Sequence, residues 1–176
     1  MAEPFISGYA IQWDRPAIIA EAWEERWARG SLDKSLRENP DVVALWAHDH
    51  SKPLGRVGNG SLTVKADSIG LWYALTPNPD SPNGQEALAT VGRGDLGEVS
   101  IGFICEVSEW DDSGDLPSRL ITQGQLLEVS LVTWGAFGKD TSATLTRSDT
   151  STANASAARR RLIEKMERDQ RLRGIR

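Results

Sequence analysis

The chain has 176 residues, 20 Lys+Arg against 25 Asp+Glu for a formal net charge of −5, and 39% hydrophobic residues. That length fits one ordinary domain, and an apolar share below the globular average of about 45–50% predicts that part of the chain lies outside a packed core. No apolar run approaches the ~18 residues of a membrane span and no basic-then-apolar leader opens the chain, so a soluble cytoplasmic protein is expected, while the single cysteine, Cys105, excludes an internal disulfide and a multi-cysteine zinc site.

The charge is unevenly spread. Residues 1–146 carry 11 basic and 21 acidic side chains, a balance of −10, whereas residues 147–176 carry 9 and 4, a balance of +5. An acidic body argues against nucleic-acid binding by the body. The basic tail is open to an acidic partner or nucleic acid, although a solvated charge run is the commoner meaning.

In chain order, Phe5–Ile11 reads as a first strand. In Ile18–Trp27, residues Ile19, Trp23 and Trp27 fall at i, i+4 spacing, which suits a helix; a family resemblance carried by other stretches of the chain implies an extended segment here instead, and both readings stay open. Ser31 reads as the N-cap of a short helix that ends at Asn39-Pro40. Val42–Trp46 is an apolar strand running into His48, and Leu54–Val57 is extended. Gly58-Asn59-Gly60 is a turn signal, followed by strands at Ser61–Lys65 and Leu71–Leu75. Thr76–Gly84 is a Pro/Asn-rich loop and Gln85–Val91 a helix. Val99–Val107, Arg119–Thr122 and Leu126–Thr133 are strands. Several short strands with a few helices predict a mostly β fold with peripheral helices (α+β), its sheet closed or nearly closed into a barrel.

From Thr146 to Ala158 the chain turns Ser/Thr/Ala-rich and loses its apolar pattern, as a linker does. Arg159–Arg173 then reads as a charged helix with a thin stripe of Ala158, Leu162 and Met166, marginal on its own in water. The division is therefore residues 1–146 as the folded domain and 147–176 as linker and basic tail.

Three polar residues stand out. In the Val99–Val107 strand, Val99, Ile101, Phe103 and Cys105 alternate with Ser100, Gly102 and Ile104, so the first set faces the core. Ser100 then sits on the other face beside Gly102, whose missing side chain leaves space next to the hydroxyl. Serines are also common on polar strand faces. A serine nucleophile needs a base, and His48 and His50 are the two histidines available. His48 follows directly on a strand, while His50 sits further into a polar loop. Two loop histidines without a role are the plain alternative. Glu128 shares a strand face with Ser130, which would let a carboxylate orient the imidazole; an exposed strand glutamate or a surface ion pair is the commoner meaning of the residue taken alone. Asp49 is a rival, but its adjacency to His48 makes a ring contact awkward. His48-Asp49-His50 invites a metal, yet no second His/Cys cluster completes a ligand set, and neither metal nor cofactor is expected.

The wording of these stretches resembles one family, the prohead maturation serine proteases of tailed bacteriophages, which is distantly similar to the herpesvirus capsid-assembly proteases. Val42–Gly60 is similar to its first block: an apolar strand, a His-Asp pair, Leu-Gly-Arg, then a Gly-rich turn. Val99–Phe103 resembles its Ser-Ile-Gly-Phe block, Leu127–Thr133 its Leu-Glu-Val-Ser-Leu-Val-Thr block, and Arg29–Leu36 its lead-in. The likeness covers roughly residues 5–140 in the family's order. Two departures are visible. Trp134-Gly135-Ala136-Phe137 stands where the family has a Pro-Ala-aromatic run, and Ala47 precedes His48 where Asn is frequent.

The resemblance implies a herpesvirus-protease-like closed β-barrel surrounded by short helices. It implies Ser100 as nucleophile, His48 as catalytic histidine and Glu128 as third member. It further implies scaffold protein, the scaffolding segment of the major capsid protein and the protease itself as substrates, and action inside the assembling prohead in the host cytoplasm. The alternative from a different class is a catalytically silent capsid-assembly or scaffold-binding protein on the same fold.

Overall fold

The computed structural model describes residues 3–146, together with 160, 163–165, 167 and 168 of the C-terminal segment. Its elements run β1 (Phe5–Gln12), β2 (Ala17–Ile19), β3 (Trp23–Trp27), α1 (Asp33–Glu38), β4 (Val43–Trp46), β5 (Asp49–Arg56), β6 (Leu62–Ala66), β7 (Gly70–Leu75), α2 (Pro82–Arg93), β8 (Glu98–Asp111), β9 (Ser118–Val132) and β10 (Thr144–Thr146). The mostly β class with few helices holds.

The strands form two sheets. The first has the order β10-β1-β7-β6, all antiparallel. In the second, β9 is the spine. β8 pairs antiparallel along one edge of β9. On its other edge β3 pairs parallel near Ser118–Ile121 and β4 parallel at Glu128–Leu131. Between those two, Gly124 N–H donates to Ser31 O at 3.0 Å. β2 extends the β3 side and β5 the β4 side.

The closed barrel that the sequence predicts does not form, because neither strand order returns to its start. α2 instead touches both β5 and β10, edge strands of different sheets. One core joins the sheets: Ile6, Leu71 and Tyr73 from the first meet Trp27, Val99, Ile121, Val129 and Leu131 from the second, with Ala87 and Val91 of α2. Burial of each Ile, Leu and Val side chain among these is worth roughly 1.5–3 kcal/mol.

The ambiguous segment is a hairpin. Trp23, Glu25 and Trp27 occupy one face of β3 at strand period, so an i, i+4 pair of tryptophans fits a strand as well as a helix. Ala20 and Glu21 both have positive φ, which closes the turn. Ser31 is not a cap: α1 starts after Leu32 without a side-chain cap bond, since the Ser31 backbone is engaged with Ala28 and Gly124. α2 begins a turn earlier than predicted because Ser81 Oγ accepts from Gly84 N–H and Pro82 opens the first turn. The expected break between Thr122 and Leu126 is absent. β9 runs through Gly124 because the Trp27 ring lies against it, at 3.0 Å from where a Cβ would stand. His50 lies within β5 and not in a loop.

On the first sheet, Tyr9, Ile69 and Trp72 form a second small cluster against which Ile163 packs. The predicted linker lies outside the described residues, as does most of the tail.

Candidate active site

The second sheet assembles the candidate residues around β9. Trp46 pairs with Asp49, so Ala47 and His48 are the two central residues of a hairpin turn. Both have positive φ, 48° and 61°, the requirement of a type I′ turn. The turn is pinned to β9: Ala47 N–H donates to Leu131 O at 2.9 Å and His48 N–H to Ser130 Oγ at 3.0 Å.

His48 Nδ1 lies 2.5 Å from Glu128 Oε1. The Glu128 side chain is 6% exposed and that of His48 46%. A carboxylate accepts, so Nδ1 carries the hydrogen and Nε2 is left as the free basic nitrogen at the surface. The second carboxylate oxygen, Oε2, accepts from Ser130 Oγ at 2.6 Å, inside the protein.

Ser100 on β8 pairs across the ladder with Ser130, and Gly102 pairs with Glu128. Directly opposed residues share a sheet face with Cβ atoms about 5 Å apart. Ser100, Glu128 and Ser130 therefore lie on one face, with Val99, Ile101, Phe103 and Cys105 turned to the core. Gly102 does not leave space for a substrate, contrary to the sequence reading. A Cβ there would stand 2.5 Å from Glu128 Oε1 and 2.8 Å from its Cγ, so the carboxylate fills that space. Among the described residues, no hydrogen bond joins Ser100 to His48.

A model of the caudovirus prohead serine protease family matches residues 1–156. The chain belongs to that family. It is 29% identical over 129 residues to the prohead protease of Escherichia phage T5, covering 72% of this chain and 56% of the T5 protein. The chain thus spans about half the length of that curated relative. In fold it is similar to the KSHV protease solved in complex with a hexapeptide phosphonate inhibitor. The TM-score is 0.51 at 14% identity, over 84% of this chain and 66% of that one.

The departure from the family at Trp134–Phe137 has a visible cause. Gly135 N–H donates to Glu98 Oε2 at 2.7 Å, and a Cβ on residue 135 would stand 2.5 Å from Val99 O. A proline could provide neither the donor nor the room. The loop after β9 is thereby held against the residue preceding Ser100, and Trp134 is left 86% exposed.

The rivals lie elsewhere. Asp49 turns away from the ring to accept from Ser51 N–H and Oγ and to pair with Lys52. The Ser51 hydroxyl, then its N–H, and then Lys52 hold the Asp49 carboxyl down at about 2. His50 makes none of the His48 contacts. Among the described residues, no group of three or more His, Cys, Asp or Glu could hold a metal ion. A cleft of about 760 Å³ between Leu54–Arg56, Asn59–Ser61 and Thr76–Ser81 contains none of the three candidate residues.

Sequence reasoning placed Ser130 on the Glu128 face but gave it no part, and it missed the Ala47-His48 turn. Only an Asn or Gly at position 47 would have signalled that turn.

Proposed function

We propose that this chain is a serine endopeptidase of prohead maturation with Ser100 as nucleophile, His48 as base and Glu128 as the group that orients the imidazole. The observation that carries the reading is the His48 Nδ1–Glu128 Oε1 contact. It leaves Nε2 as the ring nitrogen available to Ser100, which pairs with Ser130 two residues along β9 from Glu128. In the reaction His48 Nε2 takes the Ser100 Oγ proton and Oγ attacks the peptide carbonyl. The resulting imidazolium sits against the Glu128 carboxylate. Backbone N–H groups receive the oxyanion, and the protonated Nε2 then gives its proton to the leaving amine. Water repeats the sequence to release the acyl group. General-base help of this kind is typically worth 10²–10⁴-fold.

The substrates are scaffold protein, the scaffolding segment of the major capsid protein, and the protease itself, cut inside the assembling prohead. Residues 1–146 are the protease domain. Residues 147–176 either target it to the scaffold or are lost by self-cleavage, as the switch from −10 to +5 in charge balance suggests.

The test is intact-mass analysis of wild type beside Ser100→Ala after long incubation at high concentration, with fluorophosphonate labelling of each. Tail loss and labelling in wild type alone are expected. Equal cleavage in both removes Ser100 as nucleophile. No cleavage and no labelling in either favours the silent assembly protein. If a truncation at residue 146 is packaged as well as the full chain, the tail does not target.

A further inference from the structure

Ser130 is 0% exposed, and its hydroxyl bonds to both members of the proposed His48–Glu128 pair. Its Oγ accepts from the His48 backbone N–H at 3.0 Å and donates to Glu128 Oε2 at 2.6 Å. Glu128 Oε1 meets His48 Nδ1 at 2.5 Å. The bonds close a ring: His48 N–H to Ser130, Ser130 O–H to Glu128, and Glu128 back to the His48 imidazole. A hydroxyl has one hydrogen, so its direction is set by this ring.

We propose that Ser130 is a positioning residue for the His48–Glu128 pair. The inference rests on the catalytic reading above. Two freedoms would otherwise loosen the pair. A carboxylate held by one oxygen can turn about its Cγ–Cδ bond, and Ser130 holds the other oxygen. Two consecutive left-handed residues, Ala47 and His48, sit in a region unfavourable to non-glycine residues, and Ser130 ties the second of them to β9. Backbone pairing places Leu45 on one side of Ser130 and Ser100 on the other. The same residue therefore lies in the ladder that spaces the base from the nucleophile. Buried as it is, Ser130 meets no substrate, so its loss acts on turnover and not on binding.

The test uses the full chain with Ser130→Ala, Ser130→Thr and Ser130→Cys, each first shown to unfold cooperatively. Two readouts are taken: the inactivation rate constant and affinity for a fluorophosphonate probe, and the low-field proton resonance of His48 Nδ1–H, assigned in a His50→Gln background. Ser130→Ala is expected to lower the inactivation rate constant roughly 10- to 100-fold, the worth of one hydrogen bond to a charged group, with probe affinity unchanged. It is also expected to lose or shift the low-field resonance, and Ser130→Thr to keep it. Should Ser130→Ala not fold, Ser130→Cys, a weak donor of similar size, makes the same comparison. An unchanged rate constant overturns the proposal, and so does a lower rate constant with the resonance intact. Labelling that persists in Ser100→Ala would sink the nucleophile assignment instead, and the resonance in Ser130→Ala would still report on the ring of bonds.

Discussion

The Glu128 carboxylate occupies the place where a side chain at Gly102 would begin, 2.5 Å from the Cβ that Gly102 lacks. Glycine two residues beyond Ser100 is thus a condition for a buried carboxylate under His48. Gly102→Ala is expected to push Glu128 off the ring and to cost about 1–3 kcal/mol of stability. A displacement near 1 Å can cost 10²-fold in rate, so fluorophosphonate labelling of Ser100 should slow roughly 10²-fold. Labelling at the wild-type rate would show that Glu128 has no orienting role.

Ala47 pays for a left-handed conformation at φ 48° that Asn adopts more readily. Ala47→Asn is expected to stabilise by about 0.5–1 kcal/mol, which is ~1–4 °C in Tm for a chain of this size. Thermal unfolding checks this, and a lower Tm would mean the turn is not held as described.

Gly135 and Glu98 form a matched pair through the 2.7 Å bond from N–H to carboxylate. Gly135→Pro removes the donor and crowds Val99 O. Strain of about 1–3 kcal/mol plus an unpaired acceptor worth about 1–3 kcal/mol predicts a loss of roughly 2–6 kcal/mol in urea unfolding. A neutral outcome would show that the 133–137 loop moves freely over β8.

Glu25 is 4% exposed on β3 and meets Arg119 Nη1 at 3.3 Å. Arg119 also lies over the Trp110 ring, 5.5 Å from its centroid. Burial raises the Glu25 carboxyl above its ordinary 4.5, and the opposing pull of Trp23 and Arg119 is smaller. The folded state therefore holds this proton to higher pH than the unfolded chain. Stability from this group is present below 4.5 and falls as pH rises through the folded value. Urea unfolding across that range should show the fall in wild type and a flatter profile in Glu25→Gln. Parallel profiles would refute it.

Much of the fold was legible because its signals are local. Alternation in Val99–Cys105 marks a strand with one core face, and Leu71–Leu75 and Phe5–Ile11 read as strands for the same reason. Pro82 and Ser81 could have been read as a helix start, yet a Pro/Asn-rich composition masked the first turn of α2. Trp23 and Trp27 left the segment open because a spacing of four satisfies both periods, and only the hairpin partner Ala17–Ile19 and the β9 ladder decide between them.

By itself the sequence determined the order of the blocks, which residue types could do acyl-transfer chemistry, and which strand faces they occupy. It did so because side-chain alternation and turn residues act over a few positions. The tertiary structure alone decided that β9 lies between β8 and β4, and hence that Glu128, 80 residues from His48, meets its imidazole. It decided that the sheets stay open, that Gly102 makes room for a carboxylate, and that Ser130 joins the pair. Those outcomes depend on strand pairing and register between distant segments, which no local pattern encodes.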